Sequence, residues 1–112
     1  EAAKVAEEDT SFRIFHGAPC AVIVSGDTAD EMAAVSCAAA VENMLIAAES
    51  LGLGTCWMQS NMILFESSAG EELVKRMKIP GGYKPLYTFA LGYKAETADA
   101  KPRKGGAYTI IK

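Results

Sequence analysis

LGLGTCWMQSN, residues Leu51 to Asn61, is the stretch on which the fold turns. It follows a long, nearly all-apolar helical run and gathers glycine, a tryptophan and two amides in a short space. An apolar helix that stops on glycine and passes at once into a short strand makes a sharp, anchored corner. Such corners bring backbone N–H groups to a ligand. Gly52-Leu53-Gly54 is a GxG that lacks the further glycine of a dinucleotide fingerprint and follows a helix rather than a strand, so it carries no Rossmann signal. Two readings of it stand: a helix stop with a tight corner, or backbone donors presented to a planar ligand. Trp57 and Met58 likewise read either as ordinary core or as a wall against a flat aromatic ring.

Upstream, the helical run extends over residues 31–51. Thr28-Ala29-Asp30-Glu31 has the form of a capping box, with the Thr28 hydroxyl and the Glu31 carboxylate satisfying each other's backbone N–H. Ala33, Ala34, Val35, Cys37, Ala38 to Val41 and Leu45 to Ala48 cover most of the helix circumference. A helix apolar nearly all round is buried nearly all round. A chain of 112 residues has little material to cover it, so the helix is expected at a subunit interface, the alternative being a central core helix within one chain. Before it, Gly17-Ala18-Pro19 breaks the chain. Cys20 to Ser25 (CAVIVS) then reads as a strand covered on both faces and closed by Gly26-Asp27. Residues 1–12 read as the end of a further helix.

Downstream, Gly54 to Met58 reads as a short strand and Asn61 to Phe65 (NMILF) as an apolar connector. Ser68-Ala69-Gly70-Glu71 is a second capping-box pattern, opening a helix to about Met77 with Glu71–Lys75 and Glu72–Arg76 pairs on its solvent side. Ile79 to Gly82 ends that helix. Pro85 to Tyr93 (PLYTFALGY) is a third strand, rich in aromatic and apolar residues. Ala107 to Lys112 (AYTIIK) has strand character and must pair with its own sheet or with another subunit. There is no internal repeat and no linker, so residues 1–112 read as one domain.

The totals narrow the function. A net charge of -3 gives no electrostatic case for nucleic acid or an anionic membrane. The apolar run from Met32 to Leu51 is interrupted by Glu42, Asn43 and Glu49, which argues against a span. Cys20, Cys37 and Cys56 are widely spaced and His16 is the sole histidine, so neither a zinc site nor a disulfide framework is expected, and the cysteines suit a reducing cytoplasm. One histidine also leaves no hydrolytic set, and no side chain is expected to be catalytic. Lys101-Pro102-Arg103-Lys104 places three cations in a proline-stiffened loop. It is either a solvated basic loop or a clamp for a terminal phosphate.

Taken in order, these features resemble the C-terminal portion of the flavin-dependent nitroreductase family. The resemblance is carried by Ala18-Pro19 with Ile23-Val24, Ala39 to Gln59 (AAVENMLIAAESLGLGTCWMQ), Ile79 to Tyr83 (IPGGY), Phe89 to Tyr93 (FALGY) and Lys101 to Lys104 (KPRK). It implies an α+β sandwich with a long buried helix, assembled as a homodimer through the 31–51 helix and, as a further element, the C-terminal strand. It implies an FMN enzyme that takes hydride from NADH or NADPH and passes electrons to nitroaromatics, quinones or similar acceptors. By position, Trp57 and Met58 would pack beside the isoalloxazine. The backbone N–H of Gln59 would face flavin N5 and that of Ser60 would face O4, while Lys101 and Arg103 would hold the FMN phosphate. A donor at N5 orients the hydride-accepting atom, and one at O4 stabilises charge on the reduced ring. The family's arginine- and serine-rich N-terminal segment and its asparagine at the pyrimidine edge have no counterpart here, and Ser36 stands where the family often has an acidic residue. The chain is therefore expected to hold part of a flavin site, being a piece of a longer polypeptide, one whose site a second chain completes, or a degenerate member that no longer binds flavin well. The alternative is a truncated, non-catalytic dimerisation module without tight flavin binding.

Overall fold

The computed structural model describes residues 15–112; the helix expected over residues 1–12 lies outside them. The sheet has three strands, β1 (Cys20–Asp27), β2 (Leu53–Trp57) and β3 (Tyr83–Tyr93), in the order β1-β3-β2. Both pairings are antiparallel. Cys20 lies opposite Leu91 and Asp27 opposite Tyr83, while Leu53 lies opposite Tyr93 and Trp57 opposite Phe89. The three strands fall where the β-branched, aromatic and apolar runs place them, with boundaries shifted by two residues or fewer.

β1 runs on through Gly26 rather than stopping there. A Cβ on Gly26 would stand 2.6 Å from Leu86 Cδ1 and 3.0 Å from Ala33 Cβ, so the bare backbone lets the first turn of the following helix lie directly on the sheet. Residues 21–25 of β1 are half-buried rather than covered on both faces. One face of the strand is therefore not closed by the layer this chain provides.

The capping box expected at Thr28–Glu31 does not form. Thr28 Oγ1 instead donates to the carbonyl of Gly82 at 2.9 Å, tying the β1 end to the turn before β3. Asp27 Oδ1 accepts from the Ala29 N–H at 2.9 Å and Asp30 Oδ1 from the Met32 N–H at 2.8 Å. Aspartates that bond the backbone two residues ahead hold this segment as turns and delay the helix. Helix α1 therefore spans Ala33–Ser50, with Met32 at its N-cap and no side-chain cap.

Ala33, Cys37, Val41 and Ala48 form the buried stripe of α1, at the spacing of one helix face, and Val41 is wholly enclosed. The stripe packs on the sheet. The rest of the apolar circumference, including Val35 and Ile46 at 60% exposure each, faces outward in the single chain. The expectation of a helix buried all round is therefore not met within one chain. α1 is long and apolar enough to cross a membrane by length and composition alone; its packing against all three strands makes it the covering layer of the sheet. It ends as expected. The Leu51 N–H bonds the carbonyls of Ala47 and Ala48, and Gly52 takes the left-handed conformation at φ 75°.

After β2 the chain forms a 3-10 turn (Gln59–Asn61), helix α2 (Met62–Phe65) and helix α3 (Ser68–Arg76). The connector expected over residues 61–65 is thus helical. The second capping box is also displaced. Ser67 occupies the N-cap, and its hydroxyl donates back to the Leu64 carbonyl at 2.6 Å instead of capping α3. A Cβ on Gly70 would stand 2.5 Å from the Leu64 carbonyl oxygen, so glycine lets α3 abut α2.

Pro85 sits within β3, which is unusual for a strand flanked by two others. It is tolerated for two reasons. β2 pairs only with residues 89–93, so at Pro85 the strand has one ladder partner. The register with β1 also shifts between Val24 and Ser25, leaving Leu86 as an extra residue beside the proline.

Residues 94–112 contain no regular element, so the strand expected at Ala107–Lys112 is absent. Tyr108, Ile110 and Ile111 are exposed. Strand-forming segments need an edge to pair with, and among the described residues none pairs with this one.

Candidate functional site

The structure brings four of the six sequence-predicted site residues together where β2 leaves the sheet. Trp57 is the last residue of β2, Met58 the junction, and Gln59 and Ser60 open the 3-10 turn. Trp57 is 37% exposed, packs edge-on against Tyr87 with ring centroids 5.3 Å apart, and donates from Nε1 to Gln59 Oε1 at 3.3 Å. That bond is at the long end of the useful range, so the aromatic contact carries more of the positioning. Met58 is buried.

Thr88 holds the Met58 backbone on both sides. The Met58 N–H donates to the Thr88 carbonyl at 2.9 Å, and the Met58 carbonyl accepts from Thr88 Oγ1 at 2.8 Å. Thr88 is wholly buried and lies opposite Ile23 in the β1 ladder, so it is fixed from the far side of the sheet as well. The sequence reading missed Thr88. A hydroxyl within the apolar run PLYTFALGY was the available signal, but Thr is also an ordinary strand former.

Past this clamp the backbone turns. A 3-10 turn leaves its leading N–H groups without acceptors inside the turn. Among the described residues no acceptor is found for the N–H of Gln59 or of Ser60. Both residues are exposed. The pair is therefore a small set of preorganised neutral donors on a rigid base. Beside it lies an open groove of about 370 Å³ lined by Gln59, Met62, Phe65, Glu66, Lys84 and Tyr87, among others. Its aromatic and apolar walls with a few polar groups suit a flat organic ligand. A second groove, of about 880 Å³, lies at the opposite end of β2 and is spanned by an ion pair between Lys94 Nζ and Glu49 Oε1 at 2.6 Å.

Lys101 and Arg103 are not brought to this junction. Both lie in the irregular segment after β3, both are exposed, and neither lines either groove. Among the described residues there is also no cluster of side chains able to hold a metal ion. The three cysteines are free thiols, Cys37 buried and Cys20 and Cys56 exposed.

Residues 1–93 match the sequence profile of the nitroreductase family. The chain belongs to that family. Its fold agrees. A nitroreductase from Bacteroides fragilis NCTC 9343, solved with bound FMN, superposes with a TM-score of 0.83 at 28% identity, over 100% of this chain and 61% of that one. A nitroreductase with bound FMN from Desulfitobacterium hafniense DCB-2 gives a TM-score of 0.80 at 28% identity, over 98% of this chain and 58% of the other. A protein from Bacteroides thetaiotaomicron VPI-5482, assigned as an NADH dehydrogenase/NAD(P)H nitroreductase, is 32% identical with a TM-score of 0.62, over 80% of this chain and 52% of the other. The chain therefore spans about three fifths of the length of the first two nitroreductases. The α+β architecture expected from the sequence is thus the nitroreductase fold, with an antiparallel sheet and a long covering helix.

Proposed function

We propose that this nitroreductase-family chain supplies the ring-contacting part of an FMN site in an oxidoreductase. The observation that carries the reading is the pair of N–H groups at Gln59 and Ser60, which have no acceptor among the described residues and follow the Thr88 clamp at the end of β2. Their chemistry fits a flavin, whose N5 and O4 lie on one edge of the ring and accept hydrogen bonds. The two FMN-bound relatives support the same cofactor. Bound FMN would supply the redox step, accepting hydride from NAD(P)H and delivering electrons to a nitroaromatic, a quinone or a similar acceptor. The chain's own residues orient and exclude. Gln59 and Ser60 direct neutral donors at the ring edge, buried Met58 closes the base, and the Trp57 and Tyr87 pair forms an aromatic wall. Lys101 and Arg103 are proposed to hold the phosphate, which needs the segment after β3 to fold over the flavin.

We further propose a homodimer. The outward apolar face of α1, with Val35 and Ile46, and the exposed Tyr108, Ile110 and Ile111 are surfaces that a second copy would cover. The Cα radius of gyration is 17.0 Å, against about 13 Å for a closed domain of this length, which favours a chain completed by another. The free thiols suit a reducing compartment, and we place the protein in the cytoplasm.

A second reading is favoured by the position of Lys101 and Arg103 away from the turn. In it the chain is a dimerisation module without tight flavin binding. Purified protein separates the two. A yellow chain, or one that takes up added FMN with saturable quenching of flavin fluorescence, supports the enzyme reading. A colourless chain that takes up none leaves the module. Light scattering at micromolar concentration tests the dimer, and a stable monomer would overturn it.

A further inference from the structure

The geometry points to Thr88 as a positioning residue that aims the Gln59 N–H through the peptide plane it shares with the Met58 carbonyl. This rests on the flavin reading above only for its consequence, not for the geometry. The carbonyl of Met58 and the N–H of Gln59 belong to one peptide unit. That unit is planar, and the described chain contains no cis bond, so the carbonyl and the N–H point in opposite directions. Whatever fixes one end fixes the other. Thr88 Oγ1 donates to the Met58 carbonyl oxygen at 2.8 Å from a side chain with no solvent exposure. The Met58 N–H is held in turn by the Thr88 carbonyl at 2.9 Å, so the peptides on both sides of Met58 are tied to one residue. The Gln59 N–H must then point away from Thr88, out of the sheet and toward the open side of the turn.

This hold matters because Met58 does not continue the strand. Its backbone angles, φ -124° and ψ 74°, leave the extended region at the residue where the 3-10 turn begins. A peptide at such a transition can rotate at modest cost unless one of its polar atoms is pinned. A strand-to-turn junction pinned only by backbone bonds would leave the carbonyl and the following N–H free to exchange places. The hydroxyl removes that freedom and also polarises the peptide, which strengthens the N–H as a donor. A threonine does this better than a serine would in isolation, because its β-branch restricts χ1 and keeps the hydroxyl aimed. Thr88 would touch neither flavin nor substrate. Its effect reaches the cofactor through one planar group.

The test uses the full 112-residue chain and two variants, Thr88→Val, which removes the hydroxyl and keeps the shape, and Thr88→Ser, which keeps the hydroxyl. In ¹H–¹⁵N spectra recorded without FMN, Thr88→Val should displace the Gln59 amide signal and lower its order parameter from about 0.85 to below about 0.6. Thr88→Ser should restore both. An unchanged Gln59 amide in Thr88→Val overturns the proposal, and so does an equal disturbance in Thr88→Ser, which would mark a packing role. Should the valine variant fail to fold, the wild-type chain still decides. A Thr88 hydroxyl proton protected from solvent exchange supports the bond, and one exchanging at the free rate overturns it. FMN titration then follows the consequence. Affinity should fall about tenfold in Thr88→Val and stay near wild type in Thr88→Ser. Equal affinity despite a displaced amide overturns the link to the ring edge. A wild-type chain that binds no FMN overturns the flavin reading alone, because the amide signals settle the role of Thr88 independently.

Discussion

The junction at Met58 and the segment after β3 carry the two ends of one proposed ligand site, and they are built in opposite ways. At the junction, four hydrogen-bonding atoms of two residues close on one another around a fully buried threonine. In the segment, Lys101 and Arg103 stand exposed with no regular structure on either side. The proposed ring-edge donors are backbone groups on a rigid base and would lose little freedom on meeting a ligand. The proposed phosphate cations are long side chains on an irregular segment, and ordering them would oppose binding. A flat ring edge must be met by donors at fixed angles, whereas a dianionic phosphate attracts cations from many directions. Rigidity is placed where the chemistry is directional.

The strongest way to break this contrast is to remove the support of the junction. Phe89 is 2% exposed and lies opposite Trp57. Phe89→Ala should destabilise the fold by about 3–5 kcal/mol, read by urea or thermal unfolding, and should abolish FMN uptake with it. Gly26→Val comes next. Its side chain would strike Leu86 and Ala33, prise α1 from the sheet and cost about 1–3 kcal/mol in the same assay. The other end of the site behaves differently. Arg103→Ala should weaken FMN about tenfold while leaving the unfolding midpoint unchanged, and Lys101→Ala should act in the same direction. Unaltered retention in both would show a solvated loop. Removing residues 107–112 should leave the unfolding midpoint of the monomer nearly in place but shift self-association in light scattering, because Tyr108, Ile110 and Ile111 bury little within the chain. The smallest effect belongs to Lys94→Ala. Its ion pair with Glu49 is partly exposed, through Glu49 more than through Lys94, and should contribute less than about 1 kcal/mol.

The same contrast separates what was legible in the sequence from what was not. The three strands, α1 and α3 were readable because hydrophobic period and glycine stops are local signals; Gly52 takes the left-handed stop expected of it. Both capping boxes were misread because a neighbouring group competed for the same backbone. Asp27 and Asp30 hold the residues before α1, and the hydroxyl of Ser67 turns back to Leu64. The short helix at Met62–Phe65 was hidden by a run, MILF, with no polar residue to set a period. The strand expected at Ala107–Lys112 failed for another reason. Its composition is right, but pairing is decided by what lies alongside. At the site, Gln59 and Ser60 were named through family resemblance rather than composition. Their proposed role rests on their N–H groups, which every residue except proline has. Thr88, whose side chain does the holding, left no trace beyond a hydroxyl in an apolar run.

The strand order has a consequence for how the chain comes together. Among the described residues β1 and β2 each pair only with β3, which lies between them and is made after both. During synthesis at about 5–20 residues per second, two apolar strands and the helix joining them exist for seconds before any sheet can close around them. The hairpin-like shortcut is unavailable, since β1 must wait for a partner more than half the chain away. Nascent β1 and β2 are therefore the segments on which an assisting chaperone would act, and release would follow the arrival of Tyr83–Tyr93 at the gap between them.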